Sequence, residues 1–553
     1  MEIKAAQISS LEKVRQGENG PFREIHKRTV LPGERVSYQI HLCADCRADA
    51  AVHVETALQE YVQLFLVKDA FLDLPCREED MDGENYLSLE PGQMPDILVP
   101  LQEQNQKMTV SKQGGTLWVR VDIPKDAVPG TYEICVRFTP ELGQCWPEIR
   151  EVMTLSVIPA VLPQQELIYT RWLYVDCIAT QHEVEIYSEK HWELIEKYIA
   201  AAADIGINMI LVPVHTPPLD TEIGSARPCV QLVEIEKIGN CFKFSFHKFR
   251  RFIDICKKHG IRYFEIAHMF SQWGAKCAPN IMVTEHGKTD YLFGWHTAAD
   301  SEEYISFLKQ YIAAISQELE AEGISETTYF HISDEPNIET MQTYQTASDL
   351  IRPLIGNSKT MDALSTYTFY EKGLVECPVT GIAHMHEFLE HDIPNQWVYY
   401  CCGPEKVYPN CFLAMPSGRI RILGLLLYKY KVKGFLQWGF NFYNAALSRY
   451  PINPYLTTSA DRAFPSGDAF IVYPSRNGVY PSIRGEITYE AIQDMEVCTA
   501  LEAHIGHQAV VEMIDEKAGF DVRFDHYPSS GAYLEELRGE MEERIRQFVS
   551  LEN

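Results

Sequence analysis

Two adjacent carboxylates, Asp334 and Glu335, are the residues of this chain best placed for acid–base chemistry. They stand just before the final proline of the segment 327–336, Thr-Thr-Tyr-Phe-His-Ile-Ser-Asp-Glu-Pro. The apolar half of this segment predicts a buried β-strand, which the final proline cannot continue. Ligands and catalytic groups gather at the C-terminal ends of strands in α/β proteins. The sequence therefore predicts a catalytic pair at a strand end.

A structural alternative for Asp334 is that it caps the next helix. Aspartate before Pro336 and Asn337 suits a helix start, because a short side-chain acceptor satisfies free backbone N–H groups. A cap needs only one acceptor, however, and two neighbouring carboxylates repel each other unless each has a task or a partner. The second carboxylate, Glu335, favours the catalytic interpretation, while the capping interpretation stays open.

The bulk composition narrows the class of protein. A chain of 553 residues has room for two or three domains, and 46% hydrophobic with 23% charged residues is typical of a folded globular protein. The net charge of −28 argues against nucleic acid or an anionic membrane as a partner, because phosphates would be repelled. A neutral substrate is expected instead.

Targeting signals are also missing from the sequence. No apolar run approaches the ~20 residues of a membrane helix, and residues 1–9 lack the apolar segment of a signal peptide. We therefore expect no membrane partner and a cytoplasmic location, or a secreted one if a leader has been removed. No sequence feature predicts the oligomeric state.

The cysteines predict reduced thiols and no cofactor. There are 15, an odd number, and several stand in apolar contexts, including Cys135, Cys256 and the adjacent Cys401 and Cys402. That usage fits buried thiols better than a disulfide scaffold. A single Cys-x-x-Cys motif occurs at 43–46 without a second one to complete a zinc site, so it predicts neither a metal nor a redox centre.

Residues 1–163 carry the pattern of an N-terminal antiparallel β-sandwich. Apolar residues alternate with polar ones, as expected of half-buried strands, and Pro and Gly at 129–130 predict a turn. A proline-bearing exit at 158–163 marks a domain boundary. The clearest strands are predicted at 36–42, 117–123, 132–138 and 153–157.

Residues 164–505 carry a different period, that of a (β/α)8 TIM barrel. An amphipathic helix, a Gly-Ile pair and a strand follow one another three times, and eight strands are predicted in all. A doubly wound sheet is the alternative, but no GxGxxG follows the first strand. Residues 506–553 are predicted to be a helical extension packed on the barrel. The strands are predicted at 170–178, 208–215, 262–268, 327–336, 359–364, 380–385, 396–401 and 432–438.

The strand ends of such a barrel converge on one mouth. The side chains at these strand ends are rich in aromatic, imidazole and amide groups and include few cations, which is typical of a sugar-binding site. Each histidine could instead be a hydrogen-bonded structural residue, and Trp438 could instead be part of the barrel core. Asp176 and Asn444 also lie at strand ends. We predict substrate contacts from His215, His268, Trp273, Tyr367, His384, Tyr400, Trp438 and Asn441.

Metal binding is not predicted. His384, His386 and His391 lie close together in the sequence, but their spacing matches no recognised metal site. The chemistry is therefore assigned to carboxylates.

An ordinary glycosidase needs two carboxylates set apart across the scissile bond, and the seventh predicted strand offers none before Glu405. The adjacent Asp334 and Glu335 better fit a sugar whose own 2-acetamido oxygen attacks the anomeric carbon. One carboxylate then orients the amide, while the other acts first as acid and then as base.

Four motifs together resemble glycoside hydrolase family 123 and a wider group of related bacterial proteins. The resemblance covers the barrel well and the sandwich more loosely, through 32–39 and 129–132. The motifs are His-Ile-Ser-Asp-Glu-Pro at 331–336, Gly-Phe-Leu-Gln-Trp-Gly-Phe-Asn at 434–441, Gly-Asp-Ala-Phe-Ile-Val-Tyr-Pro at 467–474 and Pro-Ser-Ile-Arg-Gly-Glu at 481–486.

The resemblance implies a β-N-acetylgalactosaminidase with a β-sandwich, a catalytic barrel and an Asp–Glu pair that works with substrate assistance. It implies that Glu335 is the general acid/base and that Asp334 binds the acetamido N–H. By analogy with other acetamido-assisted enzymes, Tyr367 would hold the acetamido oxygen. Two alternatives stay open: a glycosidase for a sugar without the acetamido group, and a non-catalytic carbohydrate-binding protein. The intact carboxylate pair argues against a protein that only binds carbohydrate, because such a protein has little reason to keep two carboxylates desolvated.

Overall fold

In the computed structural model, which describes residues 2–77, 79, 83–391 and 393–552, two five-stranded sheets come first. Their orders are β1-β3-β8-β5-β6 and β2-β10-β9-β4-β7. The strands are β1 (Ile3–Ser9), β2 (Lys27–Val30), β3 (Arg35–Ala44), β4 (Ala48–Glu55), β5 (Val62–Leu72), β6 (Gly92–Pro100), β7 (Lys107–Val110), β8 (Gly115–Asp122), β9 (Gly130–Pro140) and β10 (Ile149–Val157).

Alternating apolar residues build the core between these two sheets, as the sequence predicts. One buried cluster takes Tyr38 and Ile40 from the first sheet and Ile134 and Val136 from the second. Neighbouring strands run antiparallel except for β2 and β10, which are parallel. The antiparallel N-terminal region is therefore confirmed, with that one exception.

The second region is a closed barrel of eight parallel strands, which confirms the predicted number. Its order is β11-β12-β15-β18-β19-β20-β21-β22. In chain order the elements are β11 (Ile168–Arg171), α1 (Val175–Gln181), α2 (Glu189–Asp204), β12 (Met209–Val212), β13 (Glu234–Ile238), β14 (Cys241–Ser245), α3 (His247–Lys258), β15 (Tyr263–Ile266), β16 (Ile281–Glu285), β17 (Lys288–Phe293), α4 (Glu302–Ala321), β18 (Thr328–Phe330), α5 (Met341–Ile351), β19 (Lys359–Leu364), α6 (Thr368–Glu371), β20 (Cys377–Gly381), α7 (Met385–Leu389), β21 (Trp397–Tyr399), α8 (Ser417–Lys429), β22 (Gly434–Gln437), β23 (Tyr473–Ser475), β24 (Gly478–Tyr480), α9 (Ile483–Ile505), α10 (His507–Ala518) and α11 (Gly531–Glu552).

Two features of the barrel differ from the sequence prediction. The first strand was expected to reach residue 178, but it ends at Arg171 and Val175 begins helix α1. The reason is Asn441, whose side chain accepts the N–H of Tyr174 at 2.8 Å and donates to its carbonyl at 3.1 Å, so this backbone cannot join a ladder. The second feature is an unpredicted four-stranded sheet, β14-β13-β16-β17, in the loops after β12 and β15.

Ion pairs join the N-terminal sheets to the barrel. Arg484 of α9 pairs with Asp96 of β6 at 3.0 Å, and both side chains are fully buried. Arg35 of β3 is buried and pairs at 2.8 Å with the partly exposed carboxylate of Asp204 at the end of α2. Removing one partner of the fully buried Arg484–Asp96 pair would leave an uncompensated charge, which costs several kcal/mol. These contacts fix the N-terminal sheets against the barrel, although the domain boundaries at 163/164 and 505/506 stay predictions.

None of the helices in the part of the chain that the structure describes is long and apolar enough to cross a membrane.

Candidate active site

A cavity of about 200 Å³ opens at the C-terminal ends of the barrel strands. Its lining combines aromatic, carboxylate, amide and thiol groups. Among the described lining residues there is no lysine, arginine or histidine. The lining residues are Trp172, Tyr174, Leu219, Asp220, Gln272, Trp273, Asp334, Glu335, Ala363, Tyr399, Cys401, Cys402, Leu436, Trp438 and Phe464.

The two adjacent carboxylates both line this cavity. In a continuing strand their side chains would point to opposite faces. Strand β18 ends at Phe330, however, and Glu335 has a φ of +44°, a left-handed conformation that is strained for a residue with a Cβ. This irregular backbone allows Asp334 and Glu335 to share one cavity. The helix cap expected as the alternative role of Asp334 is supplied by Asn337, whose side chain accepts the N–H of Thr340.

The loop after β15 is hydrogen-bonded to the chain at Ser333 and at Asp334. The backbone N–H of Trp273 donates to the carbonyl of Asp334 at 3.0 Å, and that of Ala275 donates to the Ser333 hydroxyl at 3.1 Å. Gly274 between them has a φ of +110°, and a Cβ there would come within 2.5 Å of the Thr340 side chain. Only glycine fits this close approach, so the loop and the carboxylates are positioned together.

The environment of the pair favours retention of a proton. Desolvation, followed by the negative charge of Glu335, raises the pKa of Asp334 well above its usual value. Glu335 accepts a hydrogen bond of 2.9 Å from the hydroxyl of Tyr399. The pair therefore holds a proton at a pH where two ordinary surface carboxylates would have lost both, which is a requirement for general acid catalysis.

A second group of ionisable residues is fully buried in the barrel. It consists of His331 and the two carboxylates Glu265 and Asp362, and we call it the supporting cluster. His331 lies between the two carboxylates, with Nε2 at 2.7 Å from Glu265 and Nδ1 at 3.2 Å from Asp362. Burial alone would lower the pKa of His331, but hydrogen bonds to Asp362 and Glu265 raise it to about 9. Tyr344 and Trp172 donate further hydrogen bonds to the carboxylates, at 2.5 and 2.9 Å. The cluster is a buried ion pair with its acceptors satisfied.

His268 is the next ring along, stacked on His331 with 4.2 Å between the ring centroids. Atoms of His268, His331 and Asp362 that can bind a metal lie within 4.8 Å of one another. Both ring nitrogens of His331 face carboxylates, however, and a protonated imidazole has no lone pair for a metal. The donor set therefore fits an ion-paired imidazolium better than a metal ligand.

An aromatic platform, Trp438 with Phe464 and Tyr174, forms part of the cavity wall. The ring N–H of Trp438 donates to Asp468 at 2.9 Å, and burial raises the pKa of this carboxyl well above its usual value. Phe464 and Tyr174 meet the indole edge-on, at 5.4 and 6.3 Å between centroids. The indole is therefore held in one orientation, with part of its surface open to the cavity.

The structure brings together four of the ten site residues predicted from the sequence: Asp334, Glu335, Trp273 and Trp438. The other six do not belong to the described lining of the cavity. They are His215, His268, Tyr367, His384, Tyr400 and Asn441.

Three of those six have structural partners instead. His215 is buried and its Nε2 contacts the carbonyl of His268 at 2.9 Å, and burial lowers the pKa of His215 to about 4. Burial likewise lowers the pKa of His268, so both rings are neutral. The side-chain amide of Asn441 is hydrogen-bonded to the backbone N–H and carbonyl of Tyr174.

The remaining three lie outside the described lining of the cavity, in other surroundings. Tyr367 stacks on His391 with 4.0 Å between the ring centroids. Tyr400 is buried against Phe435, and His384 is exposed on a short 3-10 helix, Ile382–His384. Asp176 and Asn444 are buried as well, with Asp176 paired to Arg227 at 3.2 Å.

Sequence reasoning missed several lining residues. Tyr399 was passed over for its neighbour, because two adjacent tyrosines do not reveal which one points inward. Asp220 follows β12 and lines the cavity, but it stands in a Pro-Pro-Leu-Asp segment that carries no motif. Glu265 and Asp362 carried a usable signal, since an acid inside an apolar strand predicts a buried partner.

The sequence profile of the glycoside hydrolase 123 catalytic domain matches residues 172–501. No curated protein sequence matches the chain. Among solved structures, a family 123 glycoside hydrolase from Clostridium perfringens has a TM-score of 0.72 at 15% identity, covering 99% of this chain and 98% of that chain. At this identity the likeness shows the shared fold.

Two further solved structures are more distant. A β-glucuronidase from Parabacteroides merdae has a TM-score of 0.28 at 9% identity, covering 89% of this chain and 51% of that chain. β-Glucuronidase 3 from Bacteroides uniformis has a TM-score of 0.30 at 10% identity, covering 90% and 51% respectively. Scores this low carry no argument. The family profile, by contrast, spans more than half of the chain, including seven of the eight barrel strands and every described residue that lines the cavity, and the chain therefore belongs to glycoside hydrolase family 123.

Proposed function

We propose that the chain removes β-linked N-acetylgalactosamine, or N-acetylhexosamine more broadly, from glycans by a substrate-assisted, retaining mechanism. A glycoside hydrolase family fixes the kind of bond to be cleaved. The observation that carries the proposal is the adjacent pair Asp334 and Glu335 in one cavity with aromatic and amide groups. Two neighbouring acids on one loop suit a reaction in which the attacking atom comes from the substrate.

Substrate binding would move the retained proton to the residue that needs it. An acetamido N–H donating to Asp334 stabilises the ionised form of that carboxyl, because hydrogen bonds to a charged group favour it. The raised pKa of Asp334 is then relieved, and the proton passes to Glu335. Glu335 becomes the general acid only when an acetamido sugar is in place.

In the first step the acetamido oxygen attacks the anomeric carbon from below while Glu335 protonates the departing glycosidic oxygen. Asp334 holds the amide and offsets the positive charge that develops on the oxazolinium ring. In the second step Glu335 takes a proton from water, which attacks the anomeric carbon and reopens the ring. Two inversions at one carbon retain the β configuration.

The aromatic platform and the Gln272 amide would orient the sugar. Trp438 offers an apolar face to the C–H side of the ring, and Gln272 lines the same cavity. The absence of a cation among the described lining residues suits a neutral sugar better than a uronic acid. The Clostridium perfringens relative is described with glycolipid glycan hydrolysis, so a glycolipid glycan belongs among the substrates to be tested.

One observation favours a second candidate, a glycosidase that needs no acetamido group. Asp220 comes from a different loop and lines the same cavity, so it could serve as the separate nucleophile of a two-carboxylate mechanism. Its Oδ2 already accepts the N–H of Leu447 at 2.9 Å, and burial raises its pKa to about 6. A carboxylate engaged in this way is a poorer nucleophile than an ionised free one, which places this candidate second.

The test is release of 4-nitrophenol from the β-GalNAc, β-GlcNAc and β-Gal glycosides, with a glycolipid glycan run in parallel. We expect hydrolysis only of acetamido sugars, and about a 10²–10⁴-fold loss in Glu335→Gln. Asp220→Asn is the matched control, since it should keep turnover with an acetamido sugar. Equal rates on the plain galactoside, together with an inactive Asp220→Asn, would establish the second candidate instead. Binding without any product, measured by calorimetry, would indicate a carbohydrate-binding protein.

A further inference from the structure

Two neighbouring thiols, Cys401 and Cys402, line the same cavity as the carboxylates. They follow β21 after one intervening residue, Tyr400, and their sulfur atoms lie 4.0 Å apart. Both side chains are partly exposed. Cys401 is fixed by its backbone, because its N–H donates to the carbonyl of Gly403 at 2.9 Å and its own carbonyl accepts from Asn410 at 3.0 Å. The two sulfurs are therefore presented together at the edge of the cavity.

The surroundings of the pair make Cys402 the more nucleophilic sulfur. A hydrogen bond from Cys401 and the guanidinium of Arg77, in the loop after β5, lower the pKa of Cys402 to about 7. Arg77 itself is held by Glu405, with its backbone N–H 3.1 Å from that carboxylate. The hydrogen bond with Cys402, then desolvation and the negative charges of Cys402 and Glu335, raise the pKa of Cys401 well above its usual value. The dithiol thus borders the candidate general acid.

We propose that Cys401 and Cys402 form a dithiol site that binds monosubstituted trivalent arsenicals and related thiophilic electrophiles across both sulfurs, with Cys402 reacting first. Nothing in the glycosidase mechanism uses either thiol. The site is a modification site on the wall of the sugar cavity.

The reaction balances without any change of oxidation state. The Cys402 sulfur attacks arsenic of an R–As=O reagent, and its proton passes to the oxygen. The Cys401 sulfur then displaces this oxygen, whose second proton comes from the Cys401 thiol, and water leaves. Two S–H bonds are broken and two As–S bonds are formed, while arsenic stays trivalent.

Occupation of the site would block the cavity, a consequence that rests on the proposed function. The bound group would stand beside Glu335, where the leaving group of a glycoside must be protonated. Hydrolysis should then fall in proportion to the fraction of chains labelled, and the monosaccharide product should slow labelling.

The experiment uses phenylarsine oxide on the full, reduced chain, followed by washing with excess monothiol, intact mass measurement and peptide mapping. A complex with one thiol is reversed by this wash, whereas a cyclic dithiol complex survives and is released by 2,3-dimercaptopropanol. We expect one retained arsenical per chain, mapped to the peptide that contains Cys401 and Cys402. Cys402→Ser and Cys402→Ala should both retain none, and thermal melting checks that each is folded.

The matched control is Cys46→Ser, which removes an exposed thiol from the other closely spaced pair in the sequence. It should retain one arsenical, as the wild type does. No retention in the wild type, retention mapped to Cys43 and Cys46, or full retention in both folded Cys402 variants would overturn the dithiol site. Labelling without hydrolysis of any glycoside would contradict the proposed function alone, while hydrolysis without labelling would contradict this inference alone.

Discussion

Two groups of acids lie in the same barrel, and their surroundings differ. In the supporting cluster, Glu265 and Asp362 flank a protonated His331, and further donors complete their hydrogen bonds. At the cavity, Asp334 and Glu335 are adjacent to each other, and neither has a salt-bridge partner among the described residues. Acids with satisfied charge stabilise the fold, whereas acids without a cation keep a proton and remain available for chemistry.

The two groups are also mechanically linked. Asp362 of the supporting cluster accepts the backbone N–H of Ile332 at 3.1 Å, two residues before Asp334. His331 belongs to the same segment, directly after β18. The cluster therefore fixes the backbone that carries the catalytic pair, which explains why an ion pair of this kind occurs inside a barrel core.

The largest effect expected from this comparison is on catalysis at the cavity. Asp334→Asn should lower kcat/KM for the β-GalNAc aryl glycoside by about 10²–10⁴-fold, because the acetamido N–H loses its charged acceptor. Its melting temperature should stay the same or rise, since a desolvated ionisable carboxyl is replaced by a neutral amide. Steady-state kinetics and thermal scanning measure both. A fall in melting temperature with near-normal activity would reverse the assignment of the two groups.

The supporting cluster should show the opposite behaviour. Glu265→Gln leaves His331 with one of its two carboxylates in a fully buried setting, and breaking such a pair costs about 3–5 kcal/mol. The midpoint of urea unfolding should fall accordingly. Glu285→Gln is the control, because Glu285 pairs with Lys237 at 3.6 Å on an exposed hairpin, where a pair is worth about 0–1 kcal/mol. Equal effects of the two substitutions would contradict the structural role.

The pH dependence of stability gives a third test of the same contrast. The folded-state pKa of His331 is raised to about 9 from a usual value of 6.5, so its contribution is complete below pH 6.5 and is lost as pH rises through 9. The difference in unfolding midpoint between wild type and His331→Asn should be largest near pH 6 and shrink toward pH 10. Titrations common to both proteins cancel in this difference. A gap that widens with pH would show that His331 is neutral.

Much of the fold could be read from the sequence, because periodicity survives in single segments. Strand β19 was predicted with its observed bounds, and the helices before β12 and β18 end near the expected glycines. The hairpin of β13 and β14 was missed, although alternating residues around a Gly-Asn turn at 239–240 signal it. The hairpin lies in the loop between β12 and α3, in a region where the prediction placed only helices and the eight barrel strands.

The site was harder to predict than the fold, since lining residues are chosen by the direction of each side chain. The carboxylate pair and Trp438 stood out because their residue types and motif are distinctive. Tyr399 and Asp220 did not, because only the closed barrel brings their loops to one cavity. The predictions for the histidines failed because an imidazole at a strand end can be a buried structural residue as readily as a ligand-binding one.

The smallest expected effect concerns which tyrosine serves the pair. Tyr399 donates to Glu335 at 2.9 Å, whereas Tyr367 stacks on His391 outside the described lining. A hydrogen bond to a charged group contributes about 1.5–3 kcal/mol, so Tyr399→Phe should lower kcat about 10–100-fold and leave the melting temperature nearly unchanged. Tyr367→Phe should alter neither. If Tyr367→Phe were the more damaging substitution, Tyr367 would hold the acetamido oxygen, and a loop movement on sugar binding would have to bring it to the cavity.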